Sequence, residues 1–143
     1  MIKRLKALDT YSVRHPVLRS GRPIEDCAMP GDDDATSLHL GCYHNNRLTG
    51  VVSLMNNEAT FQDQPHAYQL RGMAVLPTAQ GQGLGSQLLV AAQDALRQAG
   101  NTRVWAQARI AAVPFYEKHG WQVVSDAFEI EGIGTHYQIT KQL

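Results

Sequence analysis

The sequence predicts an α/β (α+β) domain in which helices flank a mixed β-sheet, and three observations carry that expectation. Short β-rich runs alternate with helical runs in the order hairpin, strand, helix, strand, helix, strand, strand. One segment, Gly83 to Ala99, places Leu84, Leu88, Leu89, Ala92, Ala95, Leu96 and Ala99 at steps of three and four, which is one face of a helix. The chain has 143 residues, 43% of them hydrophobic and 18% charged, the balance of a globular domain with a core of its own. Residues 1–143 are therefore read as a single domain.

Taken in order, residues 2–5 read as a short strand. The polar, Arg-rich stretch 9–20 reads as one or two short helices broken near Pro16. Pro23, Pro30 and Gly31-Asp32-Asp33-Asp34 make a loop. Ser37 to His44 and Leu48 to Met55 are β-rich and separated by Asn45-Asn46-Arg47, a hairpin signal. Residues 56–66, with Asn56, Asn57, Asp63 and Pro65, read as a further loop before a strand from Tyr68 to Leu76. The helix at 83–99 has Arg97 in its last turn and Gly100 beyond it, matching dipole and capping preferences. Arg103 to Ala108 is a strand, Ala111 to His119 a short helix ended by Gly120, and Trp121 to Val124 a strand. A last strand, His136 to Lys141, follows the turn Gly132-Ile133-Gly134.

Charge narrows the function. Lys and Arg number 13 and so do Asp and Glu, so there is no global basic field of the kind that nucleic-acid or anionic-membrane binding exploits. No run of about 18 apolar residues and no leader-like N-terminus is present, which predicts a cytoplasmic protein without a membrane span. Cys27 and Cys42 lack CxxC spacing and read as reduced, buried thiols. His39, Cys42 and His44 have metal-ligand chemistry, but strand alternation sends His39 to one face and the other two to the opposite face, so no metal is expected. Arg14, Arg19 and Arg22, beside the three aspartates, are candidates for recognising a charged substrate against the commoner role of solvated surface charges.

The feature with most chemistry is Gln80-Gly81-Gln82-Gly83-Leu84-Gly85-Ser86, between the strand ending at Leu76 and the clearest helix. Glycines let backbone N–H groups approach an anion, and a helix N-terminus adds unsatisfied donors and partial positive charge, so a pyrophosphate suits the place. An ordinary glycine-rich turn has the same composition. A Walker loop is excluded because no Gly-Lys-Ser/Thr follows. A dinucleotide fingerprint is weak because Ser86 stands at the third glycine and no acid ends the next strand.

These residues resemble the central motif of the GCN5-related N-acetyltransferase (GNAT) superfamily, whose Gln/Arg-x-x-Gly-x-Gly/Ala pattern falls on Gln80, Gly83 and Gly85. A second segment of that family, Ala-x-x-Phe-Tyr-Glu-Lys-x-Gly-Phe, is matched one strand later by Ala112, Phe115, Tyr116, Glu117, Lys118, Gly120 and Trp121. The likeness covers residues 37–143 most clearly. Segments 17–23, 32–34, 37–44 and 129–139 are similar to small bacterial acetyltransferases of the ElaA and YjcF groups.

The resemblance implies a GNAT fold with a splayed parallel strand pair holding acetyl-CoA as co-substrate. It implies transfer of an acetyl group to a primary amine of a small molecule or protein by direct attack. Met73, Ala74 and Val75 would line the pantetheine and acetyl units. The amides of Gln82, Gly83, Leu84, Gly85 and Ser86 would hold the pyrophosphate, with Gln80 and Gly81 shaping the entrance. Tyr116 would protonate the departing thiolate, and because neighbouring helical residues do not share a face, Phe115 and Tyr116 are expected to point apart. Arg109, seven residues before Tyr116, stands where many relatives carry an Asn. The strand at 70–76 presents Arg71 and no Glu, leaving the general base unassigned among Glu129, Glu131, His66, His136 and water. A non-catalytic acyl-CoA-binding module is the alternative. Dimerisation, frequent in the family, could use exposed edge strands.

Overall fold

The structure, a computed structural model, describes residues 1–143 throughout. Eight strands form one sheet: β1 (Ile2–Leu5), β2 (Leu38–His44), β3 (Arg47–Phe61), β4 (Gln64–Val75), β5 (Arg103–Arg109), β6 (Gln122–Val123), β7 (Phe128–Ile130) and β8 (Gly134–Gln142). Their order is β1-β2-β3-β4-β5-β8-β6, with β7 also paired to β8. Every pairing is antiparallel except β4 with β5. The helices are α1 (Tyr11–Leu18), α2 (Leu84–Gln98) and α3 (Val113–Lys118). No helix is long and apolar enough to cross a membrane.

Both central hairpins close through pairs of left-handed residues. Asn45 and Asn46 have φ of 51° and 61°, values that match the twist of two-residue hairpin turns, and Arg47 belongs to β3, opposite His44. The expected loop at 56–66 is absent. Instead β3 runs to Phe61, Gln62 and Asp63 turn the chain with φ of 53° and 62°, and β4 begins at Gln64. The polar residues that suggest a loop are sheet residues with their groups satisfied. A bulge between Asn56 and Ala59 absorbs an extra residue, Asn57 Nδ2 donates to Gln69 Oε1 at 2.9 Å, and the Asn57 carbonyl accepts from Trp105 Nε1 at 2.8 Å. Pro65 precedes the β4–β5 pairing, which starts at Tyr68, so it sits on an edge where a missing N–H is tolerated.

The long helix is as the periodicity predicts, except that Ala99 is exposed. α2 buries Leu84, Leu88, Leu89, Ala92 and Leu96 against Val52, Leu54, Leu70, Val104, Ala106 and Ile139 of the sheet. Gly100, at φ 90°, ends it, with the Asn101 amide reaching back to the Leu96 carbonyl. Pro16 does not break α1. The helix continues to Leu18, and the Arg19 amide closes it onto the carbonyls of Arg14 and His15, because its buried Val13 and Arg14 pin it to the sheet. β7 was not expected; it forms a hairpin with β8 around Gly132, and β8 starts earlier than predicted, at Gly134.

α1 lies on the other sheet face, with Val13 packed against Val51, Ala74 and Leu76. Beside it Arg14, with no exposed surface, donates two hydrogen bonds to Asp32, at 2.8 and 2.9 Å, one to Ser53 Oγ at 2.9 Å and one to the Cys27 carbonyl at 3.0 Å. His39 continues the network from Ser53 Oγ at 2.6 Å to the Asp32 carbonyl at 2.9 Å, an arrangement satisfied by the neutral Nε2–H tautomer. Surface placement of Arg14 is therefore corrected: it is the anchor of the segment 27–37.

The same face explains how the sheet opens. β4 pairs with β5 only over Tyr68–Leu70 and Val104–Ala106. Beyond that, β4 takes three steps, from Arg71 to Ala74, while β3 takes two, from Ser53 to Val51. The extra residue is accommodated by Gly72 at φ 62°, a bulge that bends β4 away from β5. A Cβ on Gly72 would also stand 3.4 Å from Arg14 Nε and from Met29. The bulge therefore rests on the buried arginine.

Removing the Asp32 carboxylate leaves Arg14 buried and unpaired, so Asp32→Ala should lower the unfolding free energy by about 3–5 kcal/mol, measured from urea midpoints. Burial alone would raise the Asp32 pKa, but hydrogen bonds from Arg14 and the Met29 amide, with the Arg14 charge, hold it below its usual value. Such a depressed carboxylate stabilises the fold above the unfolded-state pKa of about 3.9, and that stabilisation is lost as pH falls through the native value. Wild-type stability should thus drop below about pH 4, and less steeply in Asp32→Asn. An identical acid limb in both proteins would rule Asp32 out as its source.

Candidate active site

Where β4 and β5 separate they leave a cleft of about 330 Å³. One wall is Gln69 to Met73 of β4 and another Gln107 to Arg109 of β5. The end of α1 (Val17, Leu18, Arg19), Met29, and Ile130 and Ile133 of the β7–β8 hairpin contribute further lining, with Ala112, Tyr116 and His136. Because the two strands do not pair here, their facing backbone groups have no sheet partner.

At the end of β4 the chain turns through Pro77–Ala79 and into the glycine segment. Gln80 Nε2 donates to the Val75 carbonyl at 3.0 Å, holding the loop to the strand. Gly81 and Gly83 have φ of 81° and 78°, and a Cβ at either would meet nothing within 4 Å, so backbone conformation and not crowding calls for glycine. Gly83 is the N-cap of α2 and offers no capping side chain. The amides of residues 81–86 make no backbone hydrogen bond, and the first one used is that of Gln87, to the Gly83 carbonyl at 3.1 Å. Six successive donors are thus uncommitted at the positive end of a helix. Phe115 packs over Gly85, and Ser86 Oγ meets His119 Nε2 at 2.9 Å, so α3 braces the start of α2.

The other sequence candidates divide. Met73 is half-buried in the cleft, and Val75 turns toward Gly85; the Ala74 side chain is buried on the α1 face, so only its backbone is available to the cleft. Leu84 is likewise a core side chain. Tyr116 lines the cleft at 7% exposure, its ring meeting Phe115 at 5.2 Å and Trp121 at 5.3 Å, both edge-on. The expectation that Phe115 and Tyr116 point apart is corrected, since both rings pack on the same core and touch. The Tyr116 hydroxyl has no hydrogen-bond partner within the chain, and burial pushes its pKa well above the usual phenol value.

His136 is buried in the cleft, with Nδ1 against the Gly134 carbonyl at 2.8 Å. His66 is distant, held under Phe61 with Nδ1 against the Gln64 carbonyl, and burial lowers its pKa. Glu129 accepts a hydrogen bond from Thr135, and neither it nor Glu131 lines the cleft. His39 and Cys42 lie on opposite faces, and His44 is exposed at the end of β2. Cys27 and Cys42 are buried and free. Arg22 pairs with Asp26 on the surface, whereas Arg19 reaches the cleft. Sequence reasoning missed Gly72 and Met29; a glycine inside a strand run was the available signal for the bulge.

Comparison with known proteins agrees with this geometry. The acetyltransferase (GNAT) domain model matches residues 28–141. The chain is 34% identical over 142 residues to the uncharacterized N-acetyltransferase YitI of Bacillus subtilis, covering 99% of this chain and 95% of that protein. Among solved structures, Escherichia coli ElaA superposes with a TM-score of 0.79 at 16% identity, over 99% of both chains. A GNAT family acetyltransferase from Elizabethkingia anophelis, solved with acetyl-CoA bound, superposes with a TM-score of 0.72 at 16% identity, over 100% of this chain and 97% of that one. With its splayed parallel pair and matched family model, the chain belongs to the GNAT acetyltransferase domain family and is an N-acetyltransferase.

Proposed function

We propose that residues 1–143 act as one domain that transfers an acetyl group from acetyl-CoA to a primary amine by direct attack. The observation that carries this reading is the row of uncommitted amides at residues 81–86, adjoining a cleft into which Tyr116 presents an unpartnered hydroxyl. The donors present fit a pyrophosphate, since backbone N–H groups at a helix start take an anion without a charged side chain. The amides of Gln82, Gly83, Leu84, Gly85 and Ser86 would hold it, Gln80 and Gly81 would shape the entrance, and the unpaired edge of Met73, Ala74 and Val75 would take the pantetheine arm. When bound, acetyl-CoA supplies an activated acyl group as a thioester.

The chain's own groups supply the rest. An amine must attack in its neutral form, and His136 and water are the proton acceptors within the cleft, which has no carboxylate. Backbone N–H groups of the opened β4 edge can stabilise negative charge growing on the carbonyl oxygen. Tyr116, kept protonated by burial, is suited to give its proton to the leaving sulfur. Cys27 and Cys42 are buried outside the cleft, which supports attack without an acyl-enzyme.

The loop assignment is tested with two variants. Gly83→Val adds a β-branched side chain at φ 78° and should weaken acetyl-CoA binding more than tenfold by calorimetry; Gly83→Asn, which tolerates that conformation, controls for backbone strain. Wild-type affinity in Gly83→Val would overturn the assignment.

Tyr116→Phe keeps the ring packing and removes only the hydroxyl. It should lower kcat by roughly 10²–10⁴-fold, the usual contribution of a positioned acid, with acetyl-CoA affinity and melting temperature little changed. A wild-type kcat at saturating amine would remove Tyr116 from the chemistry.

A further inference from the structure

The cleft has a charge character that the family assignment does not explain. Arg19, Arg71 and Arg109 line it, and no aspartate or glutamate does. Arg71 is the one set within the wall: it is half-buried on β4, opposite Ser53 in register, one residue before the Gly72 bulge. Its guanidinium makes no hydrogen bond and no ion pair within the chain, although both terminal nitrogens of Arg14, on the same face, are engaged with Asp32, Ser53 and the Cys27 carbonyl. Asp32, the one acid whose charge acts on Arg71, is thus already committed to Arg14. Burial and the charges of Arg14 and Arg19 press the Arg71 pKa downward, but a guanidinium stays protonated at any working pH.

A half-buried cation without a partner costs free energy in the free protein, and that cost is recovered when an anion arrives. The guanidinium fork matches a carboxylate through two parallel hydrogen bonds. The surrounding wall is apolar, from Leu18, Met29, Ile130 and Ile133. We propose that the acceptor is an amine that carries a carboxylate and an apolar body, and that Arg71 is the specificity-determining residue that pairs with the carboxylate, with Arg19 beside it. A polyamine is disfavoured there by like charge. This rests on the acetyltransferase reading above and narrows its acceptor.

The test uses matched probes that differ only in the carboxylate. In the binding arm, N-acetyl-L-leucine and N-acetyl-L-leucinamide, analogues of the product, are titrated into the CoA-loaded protein. In the turnover arm, L-leucine and L-leucinamide are compared as acceptors through release of free CoA thiol. The carboxylate member should win by at least tenfold in both arms, in Kd and in kcat/KM. Arg71→Met, similar in length, should collapse each ratio toward one while acetyl-CoA affinity stays as in wild type, and Arg71→Lys should restore part of it.

Equal binding of the two N-acetyl probes, no binding of either, or preference for the amide would overturn the proposal. So would a fall in acetyl-CoA affinity in Arg71→Met with the ratio unchanged, which would assign the arginine to the phosphates of CoA. Carboxylate-selective binding without turnover of either amine would instead support the anion site and count against the acetyltransfer reading, so the two fail separately.

Discussion

The ion pair between Arg14 and Asp32 is the constraint on which the cleft depends. It spans helix, loop and sheet: Arg14 comes from α1, Asp32 from the segment after it, and Ser53 from β3. Breaking it releases three elements at once, because the Met29 amide and the Cys27 carbonyl bind the same two side chains. Met29 and the end of α1 are cleft residues. A buried pair of this kind is weak evidence for net stability, since apolar packing could replace it. What apolar packing would not supply is direction, and here the direction of five hydrogen bonds sets where one rim of the site stands relative to β4.

Above that pair the backbone of β4 makes its bulge. The consequence of Gly72 is topological as well as local, since the three residue steps of β4 against two of β3 turn the strand away from its parallel neighbour. Two strands that would otherwise satisfy each other are left with free edges. Free edges inside a sheet are costly unless something fills them. The opening of β4 and β5, the idle amides of residues 81–86 and the unpaired guanidinium of Arg71 are therefore one kind of feature. Each is polar capacity left without a partner inside the chain, and each tends to lower the stability of the free protein.

Legibility in the sequence followed the range of the interaction. The helix at 84–98 and the glycine loop were readable because periodicity and left-handed φ are local properties of a few residues. Tyr116 was readable through its motif, but its packing was not: whether it touched Phe115 depended on Trp121 and the core, which arrive from other elements. The strands at 56–61 and 64–66 were hidden because Asn56, Asn57 and Asp63 have loop chemistry, and only the distant Gln69 and Trp105 give Asn57 its sheet partners. Arg14 was read as a surface charge for the same reason. Its partners lie 18 and 39 positions away, and no local pattern marks a buried cation.

Charge distribution connects these points. The chain as a whole is neutral, with 13 basic and 13 acidic residues, so a positive cleft requires the acids to be elsewhere. Asp32, the buried aspartate on the α1 face, is held by Arg14; Asp26 and Asp94 pair with Arg22 and Arg97 on the surface; and Glu129 faces Thr135. None of these can neutralise Arg71 without abandoning a partner. The acid whose charge reaches Arg71, Asp32, is the one spent on securing α1 and the 27–37 segment. A carboxylate side chain fixed on the cleft wall would pair with Arg71, whereas Arg14, with no exposed surface and outside the cleft lining, would keep Asp32. Asp32 thus serves the fold through Arg14 and is withheld from Arg71, so the anchored rim of the cleft and the free cation in its wall rest on the same pair.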